Sequence, residues 1–226
     1  MELIPPGSPI IFTKKNKWDC YRFDTTNDAL LALKCKKIDA YFTDEYIADK
    51  YAKLVEGLKI VRTGMQVDDL CALCPAKNVE IVRQWNEFIP KMKKMELWQK
   101  ISRAFTVDFT EPKEFAINEP PASGPLIKVG YEPASYPLAY IDADSDRPYG
   151  YFIELVILFA REYGYQVEFI SGSWDSNLFS ILEGKLDFAV EYYSDIYRDD
   201  ILGTGNYLMT QPIISYNVIY LVRNEE

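Results

Sequence analysis

The chemistry open to this chain is bounded first by what it lacks: its 226 residues include no histidine. That removes the usual general base, the Ser-His and Cys-His nucleophile pairs and the commonest metal ligand. Carboxylate chemistry stays open, but a hydrolase is not expected. Four thiols remain, Cys20, Cys35, Cys71 and Cys74. Cys71-x-x-Cys74 has the spacing of a zinc or redox motif. A zinc ribbon needs a second such pair, and Cys20 and Cys35 have the wrong spacing. A thioredoxin-like motif opens a helix after a strand, whereas Leu70-Cys71-Ala72-Leu73-Cys74-Pro75 reads as an apolar strand stopped by proline. These thiols are therefore expected to be structural, packing as small apolar residues. No metal and no cofactor is expected.

The elements that position polar groups include one unit used twice. Leu30-Leu31-Ala32-Leu33-Lys34-Cys35-Lys36-Lys37-Ile38-Asp39-Ala40-Tyr41-Phe42 returns as Leu178-Phe179-Ser180-Ile181-Leu182-Glu183-Gly184-Lys185-Leu186-Asp187-Phe188-Ala189-Val190, 148 positions later (178 − 30). Each copy is an apolar helix, a basic turn, then Lys-Ile/Leu-Asp leading into an apolar strand. Two similar lobes follow, and clefts at domain interfaces are where small molecules bind.

Around this repeat, apolar spacing predicts strands at 38–43, 58–61, 70–74, 126–131, 166–170, 186–190 and 213–223. It predicts helices at 45–54, 151–163 and 177–183. A first helix is capped by Thr26 or Asn27, and Gly164 supplies a C-cap. A short strand is expected at 19–24. A long helical stretch from Val79 to about Phe105 is expected to break near Pro90, with Val82, Trp85, Phe88, Ile89, Met92, Leu97, Trp98 and Ile101 on its apolar face. Residues 106–125, rich in proline, acid and small side chains, read as a linker. Strand alternates with helix throughout, which predicts an α/β fold with mostly parallel sheets.

Hydrophobic content of 48% and charged content of 26% are those of a globular protein. A formal charge of −9 argues against a nucleic-acid surface. No apolar run reaches the length that spans a bilayer. The start, Met1-Glu2-Leu3-Ile4-Pro5-Pro6, has neither a basic nor an apolar leader region. It predicts an intracellular protein, or a mature or excised piece of a longer one.

The second half resembles the first lobe of family 3 solute-binding proteins, the amino-acid-binding proteins of type II periplasmic-binding fold. The likeness runs through Leu126-Ile127-Lys128-Val129-Gly130-Tyr131, Tyr136-Pro137-Leu138-Ala139-Tyr140, Pro148-Tyr149-Gly150-Tyr151-Phe152-Ile153-Glu154-Leu155, Glu168-Phe169 and Trp174-Asp175. It continues through Gly184-Lys185-Leu186-Asp187, Tyr197-Arg198-Asp199, Gln211-Pro212-Ile213-Ile214 and Val218-Ile219-Tyr220-Leu221-Val222-Arg223. The first half resembles the later part of the second lobe in Asp28-Ala29-Leu30-Leu31, Lys37-Ile38-Asp39-Ala40, Thr43-Asp44-Glu45 and Gly57-Leu58-Lys59-Ile60-Val61. Its Trp85-Asn86-Glu87-Phe88-Ile89 and Leu97-Trp98-Gln99-Lys100-Ile101 resemble the family's closing helices. The lobe order is thus reversed. The simplest reading is a window from a tandem array: residues 1–105 end one binding domain, 106–125 link, and 126–226 begin the next. The rival is a circular permutant whose halves form one cleft.

The resemblance implies site residues. An amino acid presents a carboxylate, which the planar fork of arginine matches; the family's arginine falls at Arg198, whose other reading is a solvated charge beside Asp199 and Asp200. The acceptor for the ammonium falls at Asp44, equally readable as a helix N-cap. Tyr136 matches an aromatic flanking the ligand side chain, and Trp174 is a second candidate; both are also natural core residues. Tyr193 stands where the family often has Ser or Thr. Glu191 stands where it usually has glycine, and a carboxylate there would disfavour an acidic ligand and repel a ligand carboxylate unless it points away. In the tandem reading Asp44 and Arg198 serve different ligands.

What the resemblance implies is binding of a small solute, an amino acid or related zwitterion, for delivery to an ABC-type transporter, without catalysis and without nucleic acid. Alternatives are the extracellular sensing module of a signalling protein and, last, a dehydratase on the same fold using Glu191 as acid or base. The expected setting is extracellular or periplasmic, membrane-associated through other parts of a longer protein, with a permease or signalling partner.

Overall fold

A computed structural model describes residue 23 and residues 26–62, 67–103, 119–193 and 202–224. The strand expected at 19–24 and most of the linker expected at 106–125 lie outside them. The chain forms two compact units, residues 1–68 with 216–226 and residues 69–215. It passes from one to the other at Asp68–Asp69 and at Ser215–Tyr216.

In the first unit, α1 (Thr26–Lys34), β1 (Ala40–Asp44), α2 (Glu45–Leu54) and β2 (Leu58–Val61) precede the later part of a C-terminal strand, Ile214–Arg223, which is β11 below. That strand lies between β1 and β2 and pairs antiparallel with both, Tyr220 standing opposite Phe42 and Val61. Leu30 and Leu33 of α1, Ala48 of α2, Leu58, Ile219 and Leu221 form its core. Arg223 donates to the carbonyl of Leu33 in the last turn of α1 and to that of Ile38 in the connection to β1.

The second unit contains β3 (Val67–Pro75, from Asp69 onward), α3 (Val79–Met92), α4 (Glu96–Arg103), β4 (Leu126–Tyr131), the small strands β5 (Ala134–Ser135), β6 (Ala139–Ile141) and β7 (Pro148–Tyr149), α5 (Tyr151–Tyr163), β8 (Gln166–Ser171), α6 (Trp174–Leu182), β9 (Phe188–Tyr193), β10 (Tyr207–Met209) and the start of β11 (Ile214–Arg223). Its main sheet runs β10-β3-β9-β4-β8. β5, β6 and β7 form a separate antiparallel sheet. α5 is buried all round from Tyr151 to Ala160, as a central helix must be. Trp85 of α3 lies flat on Phe159 of α5, with centroids 4.3 Å apart and planes 1° apart, and Phe88 and Phe188 close the cluster edge-on.

The mixed α/β architecture expected from the alternation of strand and helix is present, with parallel pairing of β4 to both β8 and β9. There α5 and α6 provide the helical crossovers that parallel neighbours require. β1, β2, β3, β10 and β11 meet partners distant in sequence and pair antiparallel. The helical break expected near Pro90 comes just after it, since α3 contains Pro90 in its last turn. It falls at Lys93–Met95, where the backbone N–H groups of Lys94 and Met95 close tight turns onto Lys91 and Met92.

Candidate functional site

Open α/β sheets bind ligands beyond the carboxyl ends of their parallel strands. In the second unit three such ends lie side by side. β4 ends at Tyr131 and is followed by Glu132; β8 ends at Ser171 and leads to Trp174 at the start of α6; β9 ends at Tyr193 just past Glu191. This edge holds Trp174 and Glu191 of the expected site residues, and Tyr136 follows Ser135, which lies beside Glu191.

Glu191 is the unusual residue. Cys71 of β3 stands opposite Tyr192, and Leu73 stands opposite Ala189, so β9 carries one residue more than β3 between these pairs. The extra residue makes a bulge, and bulges re-aim side chains next to sites. Glu191 takes φ +70° within it. This is the left-handed region that one bulge class fills with glycine. Ala72, facing the bulge, bonds instead to Thr210: its N–H donates to the Thr210 hydroxyl at 3.0 Å and its carbonyl accepts from the Thr210 N–H.

Glu191 is 1% exposed. Neither carboxylate oxygen has a hydrogen-bond partner among the described residues. Burial pushes its carboxyl well above the usual carboxylate range; the nearby Ser135 side chain opposes this, though outside hydrogen-bond geometry, and the negative charge of Glu132 reinforces it. Glu132 is itself raised, first by burial, against the backbone N–H groups of Ala134 and Trp174. The Tyr192 hydroxyl donates to the Trp174 carbonyl at 3.0 Å, and their rings meet edge-on at 5.3 Å. The Tyr136 ring lies 5.1 Å from that of Tyr140.

Sequence reasoning missed Glu132, Ser135 and Tyr192. The available signal for Glu132 was its place, the first polar residue after an apolar parallel strand. Of Tyr193 the structure gives the backbone, as the last residue of β9, and Arg198 lies outside the described residues. Asp44 belongs to the first unit. It is buried at the end of β1 and stands at the N-cap position of α2, but its side chain makes no capping hydrogen bond. The Cys-x-x-Cys pair is buried in β3, and burial raises the Cys74 thiol far above its ordinary range. Among the described residues no group of three or more acidic or thiol side chains could hold a metal, and no helix is long and apolar enough to cross a membrane.

Residues 127–226 match the family of bacterial extracellular solute-binding proteins, family 3. Similar solved structures include the L-cystine solute receptor of Neisseria gonorrhoeae, 31% identical over 28% of this chain and 27% of that one, with a TM-score of 0.27. A ligand-binding component of an ABC-type import system from Staphylococcus aureus, with zinc bound, is 15% identical over 90% of this chain and 54% of that one, with a TM-score of 0.44. An ancestral cationic amino acid solute-binding protein is 11% identical over 89% of this chain and 63% of that one, with a TM-score of 0.46. The chain spans 27% and 54% of the first two. A comparison with curated proteins finds no match.

Proposed function

We propose that this chain binds a small solute, an amino acid or related zwitterion, outside the cytoplasm, and that the bound form is delivered to an ABC-type transporter. The observation that carries the reading is the coincidence of the family match over 127–226 with a polar, aromatic-lined edge at the carboxyl ends of β4, β8 and β9. Arg198 takes the ligand carboxylate through two N–H donors. Tyr136 and Trp174 flank the side chain and Tyr193 and Glu191 complete the strand end, while Asp44, in the first unit, accepts from the ammonium group of a separate ligand. No step of this reading is catalytic.

We further propose that residues 1–105 and 126–226 derive from two neighbouring binding domains joined by 106–125, the whole belonging to a longer membrane-associated protein. The test is thermal unfolding against the twenty amino acids and a set of polyamines at millimolar concentration. A ligand at 100 times its dissociation constant adds about 2.7 kcal/mol, or several degrees for a chain of this size. A shift lost in Arg198→Ala and kept in Asp44→Ala supports the tandem reading. A shift lost in both favours a permuted protein with one ligand.

A further inference from the structure

Glu191 carries two costs that a glycine at its place would avoid. Its backbone occupies a region that strains side-chain-bearing residues. Its carboxyl group is buried with both oxygens lacking partners among the described residues. A structural glutamate would recover part of this through hydrogen bonds, as Asp187 does in accepting from the Lys128 N–H at 2.8 Å. Among the described residues Glu191 has no such bond. The bulge that produces its φ also aims it, at the carboxyl edge of a parallel sheet, beside Ser135 and near a second carboxylate, Glu132. Both oxygens of a buried carboxylate are best matched by one positive group bearing several N–H donors.

We infer that Glu191 is the docking group for a positively charged centre on the solute, an organic ammonium or guanidinium, so that the second unit selects cations. The inference rests on the solute-binding reading and names its ligand class. The aromatic side chains at this edge suit the same ligand, because ring faces attract cations. Glu132 adds a second negative charge, and the net charge of −9 draws cations toward the protein. An acidic side chain would meet two carboxylates at this edge.

The inference has a proton signature. Among the described residues, the groups that act on the Glu191 carboxyl are the Ser135 hydroxyl and the Glu132 carboxylate, and no cation does. Burial favours the protonated carboxyl and a bound cation favours the carboxylate, so binding shifts the group toward its ionised form and releases to solvent the proton it held.

Calorimetric titration of the 226-residue chain tests this with L-lysine, L-arginine and putrescine as cationic probes and L-norleucine and L-glutamate as controls. Each is run at pH 7 in two buffers of different ionisation heat. At least one cationic probe binds tenfold or more tighter than norleucine, with proton release. Glu191→Gln weakens that binding at least tenfold and abolishes the release; Glu191→Gly, which suits the backbone angle, does the same in a chain that folds at least as well. If norleucine or glutamate binds as tightly as the cations, or Glu191→Gln binds unchanged, the cation inference is overturned and solute binding stands. If no probe of any class binds the folded chain, both readings fall.

Discussion

Lys36 and Gly184 occupy the same place in two copies of one helix-to-strand turn, both in the left-handed region, with φ of +58° and +71°. Three hydrogen bonds of the two turns correspond. The N–H groups of Cys35, Lys36 and Lys37 reach the carbonyls of Leu31, Leu33 and Ala32; those of Glu183, Gly184 and Lys185 reach Phe179, Ile181 and Ser180. The duplicated sequence is therefore a duplicated structure, closed by the same helix-ending motif.

The two positions respond oppositely to substitution. Lys36→Gly relieves the strained angle and stabilises the first unit by up to about 1 kcal/mol, while Gly184→Ala costs the second unit about 1 kcal/mol. A Cβ at 184 meets only the flexible end of Lys77, at 3.2 Å, so strain rather than collision sets the cost. Urea unfolding of the two variants checks the signs.

Trp85→Ala destabilises the second unit by about 3–5 kcal/mol, because a fully buried ring stacked on Phe159 is replaced by a cavity. Trp85→Phe, which keeps the stack, costs less. Denaturant midpoints for the two variants give the ranking. A larger loss for Phe than for Ala would contradict this packing.

The buried carboxyl makes stability depend on pH in a direction unusual for a glutamate. Because the folded-state value of Glu191 lies above the unfolded 4.5, the native state holds the extra proton. Its contribution is complete below 4.5 and is lost as pH rises toward the folded value. Glu191→Gln removes this fall. Unfolding free energies of wild type and variant at pH 5 and pH 7 show a larger drop in the wild type, and equal drops would contradict the assignment.

Thiol accessibility follows burial. Cys35 is exposed, whereas Cys71 and Cys74 are buried in β3, with the Cys74 thiol further deactivated by its raised pKa. Iodoacetamide followed by peptide mapping labels Cys35 in the native protein. It labels Cys71 and Cys74 only after unfolding.

The fold was legible where periodicity and local chemistry agree. Strands at Leu58–Val61 and Leu126–Tyr131 and the helix Tyr151–Tyr163 have the bounds their apolar spacing predicts, and Gly164 takes the left-handed angle of a C-cap, φ +73°. Pairing direction was not legible, because β3 and β11 find their neighbours through contacts far along the chain. Glu191 could be singled out as a departure from a resembled pattern. Its bulge, its burial and its link to Glu132 through the β4–β5 connection are tertiary facts that no local spacing carries. Asp44 was readable as a cap by position, yet its side chain makes no capping bond.

The central claim is that this chain binds a small solute at the carboxyl edge of β4 and β9. The most direct measurement is a backbone amide NMR titration of the chain with each amino acid and with putrescine. The account predicts saturable shifts for at least one solute, concentrated at Glu132, Ser135, Trp174 and 191–193. Saturable shifts elsewhere with these amides unmoved, or no shifts from any solute on the folded protein, would contradict it.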